Sequence, residues 1–191
     1  MLAERWTELL CHPSTPDRTV RGIAAFVRRA ANGVLDVSFR LEGEVSRLRV
    51  PAPSVPRIAA RLWEHTCFET FVEMDEGPAY YEFNLAPSGE WAAHAFRGYR
   101  DGGPLVDEAL APSIALRATE GRLELDAVIR LDRLSQAQPR ASLWIGLSAV
   151  IEATDGALSY WALRHPVAKP DFHHAEAFAL RLEPGIGPDR G

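Results

Sequence analysis

Lysine is almost missing from this chain: Lys169 is the only one, and arginine supplies the rest of the positive side-chain charge. That bias reads as genomic composition, and the formal net charge of −5 leaves no basic surplus to neutralise phosphates. Nucleic acid is therefore not an expected partner. Cysteine is scarce too. Cys11 and Cys67 are too few for a disulfide framework and lack the Cys-x-x-Cys spacing of a zinc or redox site, so both read as buried thiols. There is no apolar run of about 18 residues that could span a bilayer. The N-terminal stretch Met1 to Leu10 carries Glu4 and Glu8 where a signal peptide needs a basic region, and no long apolar segment follows it. A cytoplasmic location without membrane contact is the expectation. Also absent are a Gly-x-Ser-x-Gly elbow, a phosphate-cradling glycine loop and a dinucleotide fingerprint, which leaves serine-nucleophile, kinase and flavin or nicotinamide chemistry without support.

What is present is enough apolar material for a core. The 191 residues are 47% hydrophobic, which suits one domain, read here as residues 1–184 followed by a frayed tail, Gly185–Gly191. The strand period of two dominates the pattern. In Arg122–Leu131, Leu123, Leu125, Ala127, Ile129 and Leu131 face one way, opposite Arg122, Glu124, Asp126 and Arg130. Leu143 to Ile151 repeats the alternation with an opposite face only partly polar, as expected for a strand buried on both sides. Further strands are expected at Val34–Leu41, Val45–Val50, Thr66–Met74, Tyr80–Leu85, Trp91–Phe96, Ile114–Ala118, Leu158–Leu163 and Ala177–Leu182. Turn signals divide them, including Asp75-Glu76-Gly77-Pro78, Pro87-Ser88-Gly89 and a tight hairpin at Asp155-Gly156. Gly22–Ala31 fits either an amphipathic helix or a strand, and the hairpin signal Asn32-Gly33 after it favours the strand. Ser54–Trp63 has the spacing of a short helix, and Asp132-Arg133-Leu134 that of a single turn. The resulting fold class is all-β, an antiparallel β-sandwich with one or two short helices.

One ribbon concentrates the chemistry. Trp63-Glu64-His65-Thr66-Cys67-Phe68-Glu69-Thr70-Phe71 is followed by Tyr80-Tyr81-Glu82-Phe83-Asn84-Leu85-Ala86-Pro87-Ser88-Gly89-Glu90-Trp91. Extended, its first strand sends Cys67, Glu69 and Phe71 to one side and Phe68, Thr70 and Val72 to the other. The second separates Tyr80, Glu82 and Asn84 from Tyr81, Phe83 and Leu85. Whether Glu69 lies opposite Glu82 or Asn84 depends on register. The plain alternative is that these acids only tie loops together through hydrogen bonds.

These residues resemble the DOMON-like group of bacterial proteins, within the wider DOMON and family-nine carbohydrate-binding superfamily. Ser159-Tyr160-Trp161-Ala162-Leu163-x-His165-Pro166 and Lys169-Pro170-Asp171-Phe172-His173 share the resemblance, which runs from about Leu41 to Leu182. It implies a β-sandwich that binds a ligand, a sugar or haem, and carries out no catalysis. Glu69, Phe71, Tyr81, Glu82 and Asn84 match the motif common to the sugar-binding relatives.

A sugar site needs flat aromatic faces and hydrogen-bonding groups. Trp63, Tyr81, Trp91, Tyr99 and Trp161 are the aromatic candidates, with Glu69, Glu82, Asn84 and Arg100 as polar partners. Core packing is the alternative for each ring. The expected function is binding of a carbohydrate or related polar metabolite. The alternative is a haem- or metal-binding domain that uses the His165–His174 loop, with His165, Asp171 and His173 as candidate ligands. Relatives that bind haem pair a Met with a His, whereas this chain has only Met1 and Met74, the latter beside an acidic turn. An aromatic protein-binding face and a Glu69/Glu82 glycoside hydrolase are weaker options. Ligand identity and oligomeric state are not readable from the residues.

Overall fold

The computed structural model describes residues 5–30, 33–74, 77–134 and 141–184. The tail assigned to 185–191, the asparagine of the Asn32-Gly33 turn and the Asp75-Glu76 half of another turn lie outside the described residues. The strands, in chain order, are β1 (Thr7–Cys11), β2 (Val20–Arg29), β3 (Val34–Gly43), β4 (Cys67–Met74), β5 (Tyr80–Leu85), β6 (Trp91–Phe96), β7 (Gly102–Leu105), β8 (Ser113–Ala118), β9 (Arg122–Arg130), β10 (Leu143–Glu152), β11 (Leu158–Ala162) and β12 (Leu180–Leu182). All strand pairings are antiparallel.

They form a curled sheet that folds into the two layers of a sandwich. One layer runs β1-β2-β3-β9-β8 and the other β7-β6-β5-β4-β10-β11-β1. β1 turns the corner: Thr7, Glu8 and Leu9 pair with β2, whereas Leu10 and Cys11 pair with β11. β12 takes the part of the β10 edge that β11 leaves free, from Leu143 to Ile145. The alternating side chains of both layers meet inside. Leu123, Leu125, Ala127 and Ile129 of β9 are buried with Leu143, Ile145, Leu147, Ala149 and Ile151 of β10. Phe39 of β3 lies 5.0 Å from Phe68 of β4 across the layers, ring centre to ring centre. Burial of apolar area on this scale is what holds two sheets together.

The outer faces differ. Outside the β2-β3-β9-β8 layer, charges pair across strands: Arg28 with Asp36 at 2.5 Å, Arg40 with Glu124 at 3.0 Å, Arg117 with Asp126 at 2.6 Å and Arg122 with Glu42 at 2.6 Å. Outside the other layer the strands present aromatic rings and buried acids, and residues 164–179 fold over them. Phe178 from this cover stacks on Phe71 at 5.5 Å, and Phe172 packs against Tyr160 at 6.1 Å.

Of the Gly22–Ala31 stretch, Gly22 to Arg29 lie in β2, as the hairpin context implies, Ala31 is outside the described residues, and a single 3₁₀ turn occupies Leu131–Arg133. Val45–Val50 is not a strand: Val45–Arg47 form a 3₁₀ turn, and only Leu48 bridges, to Ala153. Ser54–Trp63 is not a helix. Pro51, Pro53 and Pro56 keep this stretch extended, Ile58 bridges to Trp91, and a 3₁₀ turn appears only at Leu62–Glu64. Ala177 closes a 3₁₀ turn, so the last strand begins at Leu180. The short strands β1 and β7 have no clear alternation, and Pro104 in β7 is tolerated because β7 is an edge. Cys67 is buried, but Cys11 is only half-buried, with Sγ donating to the Thr15 carbonyl at 3.3 Å.

Candidate functional site

The strand period assigns the outer face of the second layer. β4 sends out Cys67, Glu69 and Phe71, and β5 sends out Tyr80, Glu82 and Asn84. Register settles the pairing left open by the sequence. Glu69 lies opposite Asn84 on one side and Ser148 on the other, while Glu82 lies opposite Phe71 and His94. Ala92, Asn84, Glu69, Ser148 and Ala162 thus form a row across β6, β5, β4, β10 and β11, with small side chains at its ends and an acid at its centre.

Above this row is a cavity of about 360 Å³, within the range of about 300–1,000 Å³ typical of small-molecule sites. Glu69, Glu82, His94, Arg100 and His173 supply its polar lining. Trp63, Phe96, Tyr160 and Phe172 supply aromatic rings, and Val150 and Pro170 complete it. Glu69 is 3% exposed and Glu82 is 5% exposed. Ser148 Oγ donates to Glu69 Oε2 at 3.3 Å, and Asn84 Nδ2 donates to Glu82 Oε1 at 2.6 Å.

Burial pushes the Glu69 carboxyl well above its ordinary range, and the nearby Glu82 charge pushes the same way, against the Ser148 bond and the Arg100 charge. Glu82 is also raised by burial, in part offset by Asn84 and Arg100. His173 moves the other way, down to about 4, chiefly through burial and then the Arg100 charge. It is therefore neutral at physiological pH, and its 3.7 Å approach to Glu82 Oε2 is not an ion pair. The Arg100 backbone N–H donates to Tyr80 Oη at 3.1 Å, and Tyr80 Oη shares a hydrogen bond of 2.9 Å with His173 Nδ1. His173 Nε2 faces Glu82. Burial likewise weakens proton binding by His94, whose Nδ1 is buried without a partner among the described residues.

The cover is tied down by polar contacts. Asp171 accepts from Tyr99 Oη at 2.7 Å, from Arg100 Nη2 at 2.9 Å and from the His173 backbone N–H at 3.1 Å. Arg100 has a left-handed backbone (φ 55°) that carries the chain from β6 into β7. Its charge is matched by Asp171.

Of the residues singled out in the sequence, Trp63, Glu69, Glu82 and Arg100 line this cavity. Asn84 lies beneath it, holding Glu82. Tyr99 is 61% exposed and does not line the cavity, meeting the lining residue Arg100 at 5.7 Å from its ring centre and donating to Asp171. Tyr81, Trp91 and Trp161 are on the inner face: Tyr81 packs on the core, Trp91 is 1% exposed and Trp161 is 6% exposed. They are core residues, because each falls on the inward phase of its strand.

The proposed metal set does not converge. His165 Nε2 faces the Leu10 carbonyl at 2.8 Å and its ring meets His12 edge-on at 4.7 Å, whereas Asp171 holds Arg100 and His173 holds Tyr80. Among the described residues no group of three or more His, Cys, Asp or Glu side chains is placed to hold a metal ion. His94, Phe96, Val150, Tyr160, Pro170 and Phe172 went unrecognised in the sequence. For His94, Phe96 and Tyr160 a signal existed: each is on the outward phase of a strand that was itself recognised.

A second hollow of about 510 Å³ lies beside Arg49, His65, Thr66 and Glu152. Its buried acid is already matched, since Glu152 takes Arg49 at 2.7 Å and His65 at 2.8 Å.

No family model matches the chain, and no curated protein matches it in sequence. Solved structures match its fold. One is a candidate carbohydrate-binding protein from Bacteroides uniformis, 14% identical over 89% of this chain and 82% of that one, with a TM-score of 0.62. Another is a family-nine carbohydrate-binding module from Caldicellulosiruptor kristjanssonii in complex with glucose, 9% identical over 97% of this chain and 87% of that one, with a TM-score of 0.57. The family-nine module from the same organism in complex with cellotriose has a TM-score of 0.53, with 9% identity over 92% of this chain and 76% of that one. This chain therefore has the sandwich fold of these modules.

Proposed function

We propose that this protein binds a small carbohydrate in the cavity over Glu69 and Glu82, as a DOMON-like, non-catalytic module. The supporting observation is the joint lining: Trp63, Phe96, Tyr160 and Phe172 offer ring faces to the C–H surface of a sugar, while Glu69, Glu82, His94 and His173 offer hydrogen-bonding groups beside them. The two family-nine structures of like fold are complexes with glucose and cellotriose, which supports the same ligand class here. Fixed donors and acceptors in a recess suit a polar ring, because a buried polar group left without a partner costs about 1–3 kcal/mol.

Calorimetric titration with a panel of mono- and oligosaccharides tests this. Binding of at least one sugar is expected, weakened about tenfold, or about 1.4 kcal/mol, in Trp63→Ala and in Phe172→Ala. A folded protein that takes up no sugar at millimolar concentration would overturn the proposal.

A further inference from the structure

The two acids in the cavity share one nearby cation, Arg100, and it is already bound to Asp171. Glu69 and Glu82 are both more than nine-tenths buried, yet among the described residues neither forms an ion pair with Lys or Arg. Their hydrogen bonds come from the neutral groups Ser148 and Asn84. Glu69 Oε1 has no partner among the described residues, and the side chain gives onto the cavity. The other charged or titratable groups there do not supply the missing charge. Arg100 favours the charged form of both acids but is itself paired with Asp171 at 2.9 Å, and burial weakens proton binding by both His94 and His173. Glu152 shows the contrast, for it is equally buried and takes both Arg49 and His65. Buried carboxylates are ordinarily paired, and aromatic faces such as those of Trp63 and Tyr160 also attract cations.

We infer that the cavity selects a ligand bearing a protonated amino group, an amino sugar with its amine free, seated between the Glu69 and Glu82 carboxylates and the surrounding rings. This rests on the sugar-binding proposal for the ring and adds the charge. The amine supplies the positive charge that the chain leaves out. Burial raises the affinity of both acids for protons and an arriving cation lowers it, so binding is expected to release protons to the medium.

The full chain is titrated calorimetrically at about pH 6 with glucosamine, N-acetylglucosamine, glucose and cyclohexylamine, in two buffers of different ionisation enthalpy. An amine beside electron-withdrawing groups, like an α-amino group of pKa about 7.7–8.0, and an alkylamine like that of lysine, about 10.4, are both charged there. Glucosamine is expected to bind at least about tenfold tighter than glucose or N-acetylglucosamine and to release protons. In Glu69→Gln and Glu82→Gln the ratio of glucosamine to glucose affinity is expected to fall towards one. Should either variant fail to fold, the selectivity and proton release of the unaltered chain still decide. Glucose binding as tightly as glucosamine would overturn the amine inference and leave the sugar proposal standing. Cyclohexylamine binding with proton release, and no sugar binding, would overturn the sugar proposal and uphold selection of the amine. No binding by any of the four would overturn both.

Discussion

Glu69 is held by a single hydrogen bond from Ser148 Oγ, beneath a cavity and beside a second acid, so its proton has a direct bearing on stability. Its carboxyl is raised above the ordinary 4.5, which makes the native state the tighter proton binder. The resulting stabilisation is fully present below about pH 4.5 and is lost as pH rises through the folded value. Glu69→Gln, which keeps a neutral side chain of the same shape, is expected to become more stable relative to the parent as pH rises through that window, as measured by urea midpoints from pH 4 to 8. His173 has the opposite sign. Its depression from 6.5 to about 4 gives stability that is full above about pH 6.5 and is lost as pH falls through about 4. His173→Gln is expected to flatten that acid limb by up to about 3 kcal/mol, read from the same curves. At this scale the sequence singled out Glu69, Glu82, Trp63 and Arg100, which line the cavity, together with Trp91 and Trp161, which lie in the core. An indole looks alike in a list of residues whether it faces a ligand or a core.

Among the elements, β10 shows how the two faces of one strand divide the work. Leu143, Ile145, Leu147, Ala149 and Ile151 fill the core, while the outward positions carry Gly146, Ser148 and Val150. Gly146 needs no unusual backbone. Its missing side chain makes room, since a Cβ there would lie 2.7 Å from Phe178 and 3.2 Å from the Phe71 Cβ. Gly146→Ala is expected to lift Phe178 off Phe71 and cost about 1–3 kcal/mol of stability, with faster proteolysis of the 164–179 cover as the second readout. Strand existence was legible because alternation is local: β9, β10, β5 and β6 all stand where the pattern put them. Tyr160 and Trp161 show the limit. They are neighbours on β11 with opposite destinations, and a shift of one residue in phase exchanges them.

The whole molecule depends on two curved layers meeting along Phe39 and Phe68, with β1 joining their edges. Phe68→Ala would leave a large void at that contact and is expected to cost about 3–5 kcal/mol, measured by thermal or urea unfolding. Its loss should be felt in the site as well, because Glu69 is the next residue on the same strand. The cavity is a product of this scale. β4, β5, β6, β10 and β11 supply its floor and walls, and the Asp171 loop, 108 residues after Trp63 in the chain, is drawn back to close it by the same burial of rings that fills the core.

The alternation of apolar and polar residues by itself determined an all-β antiparallel sandwich, because the side-chain period of a strand is written into consecutive residues. Its two acids were recognisable for the same reason, and Trp63, in a 3₁₀ turn, because it stands beside their ribbon in the chain. Only the tertiary structure decided which face is recessed, that Glu69 lies beside Asn84 and Ser148, that Tyr160, Phe172 and His173 close over the acids, and that His165 is drawn away to Leu10. Those outcomes depend on register and on contacts between distant segments, and neither leaves a local mark in the chain.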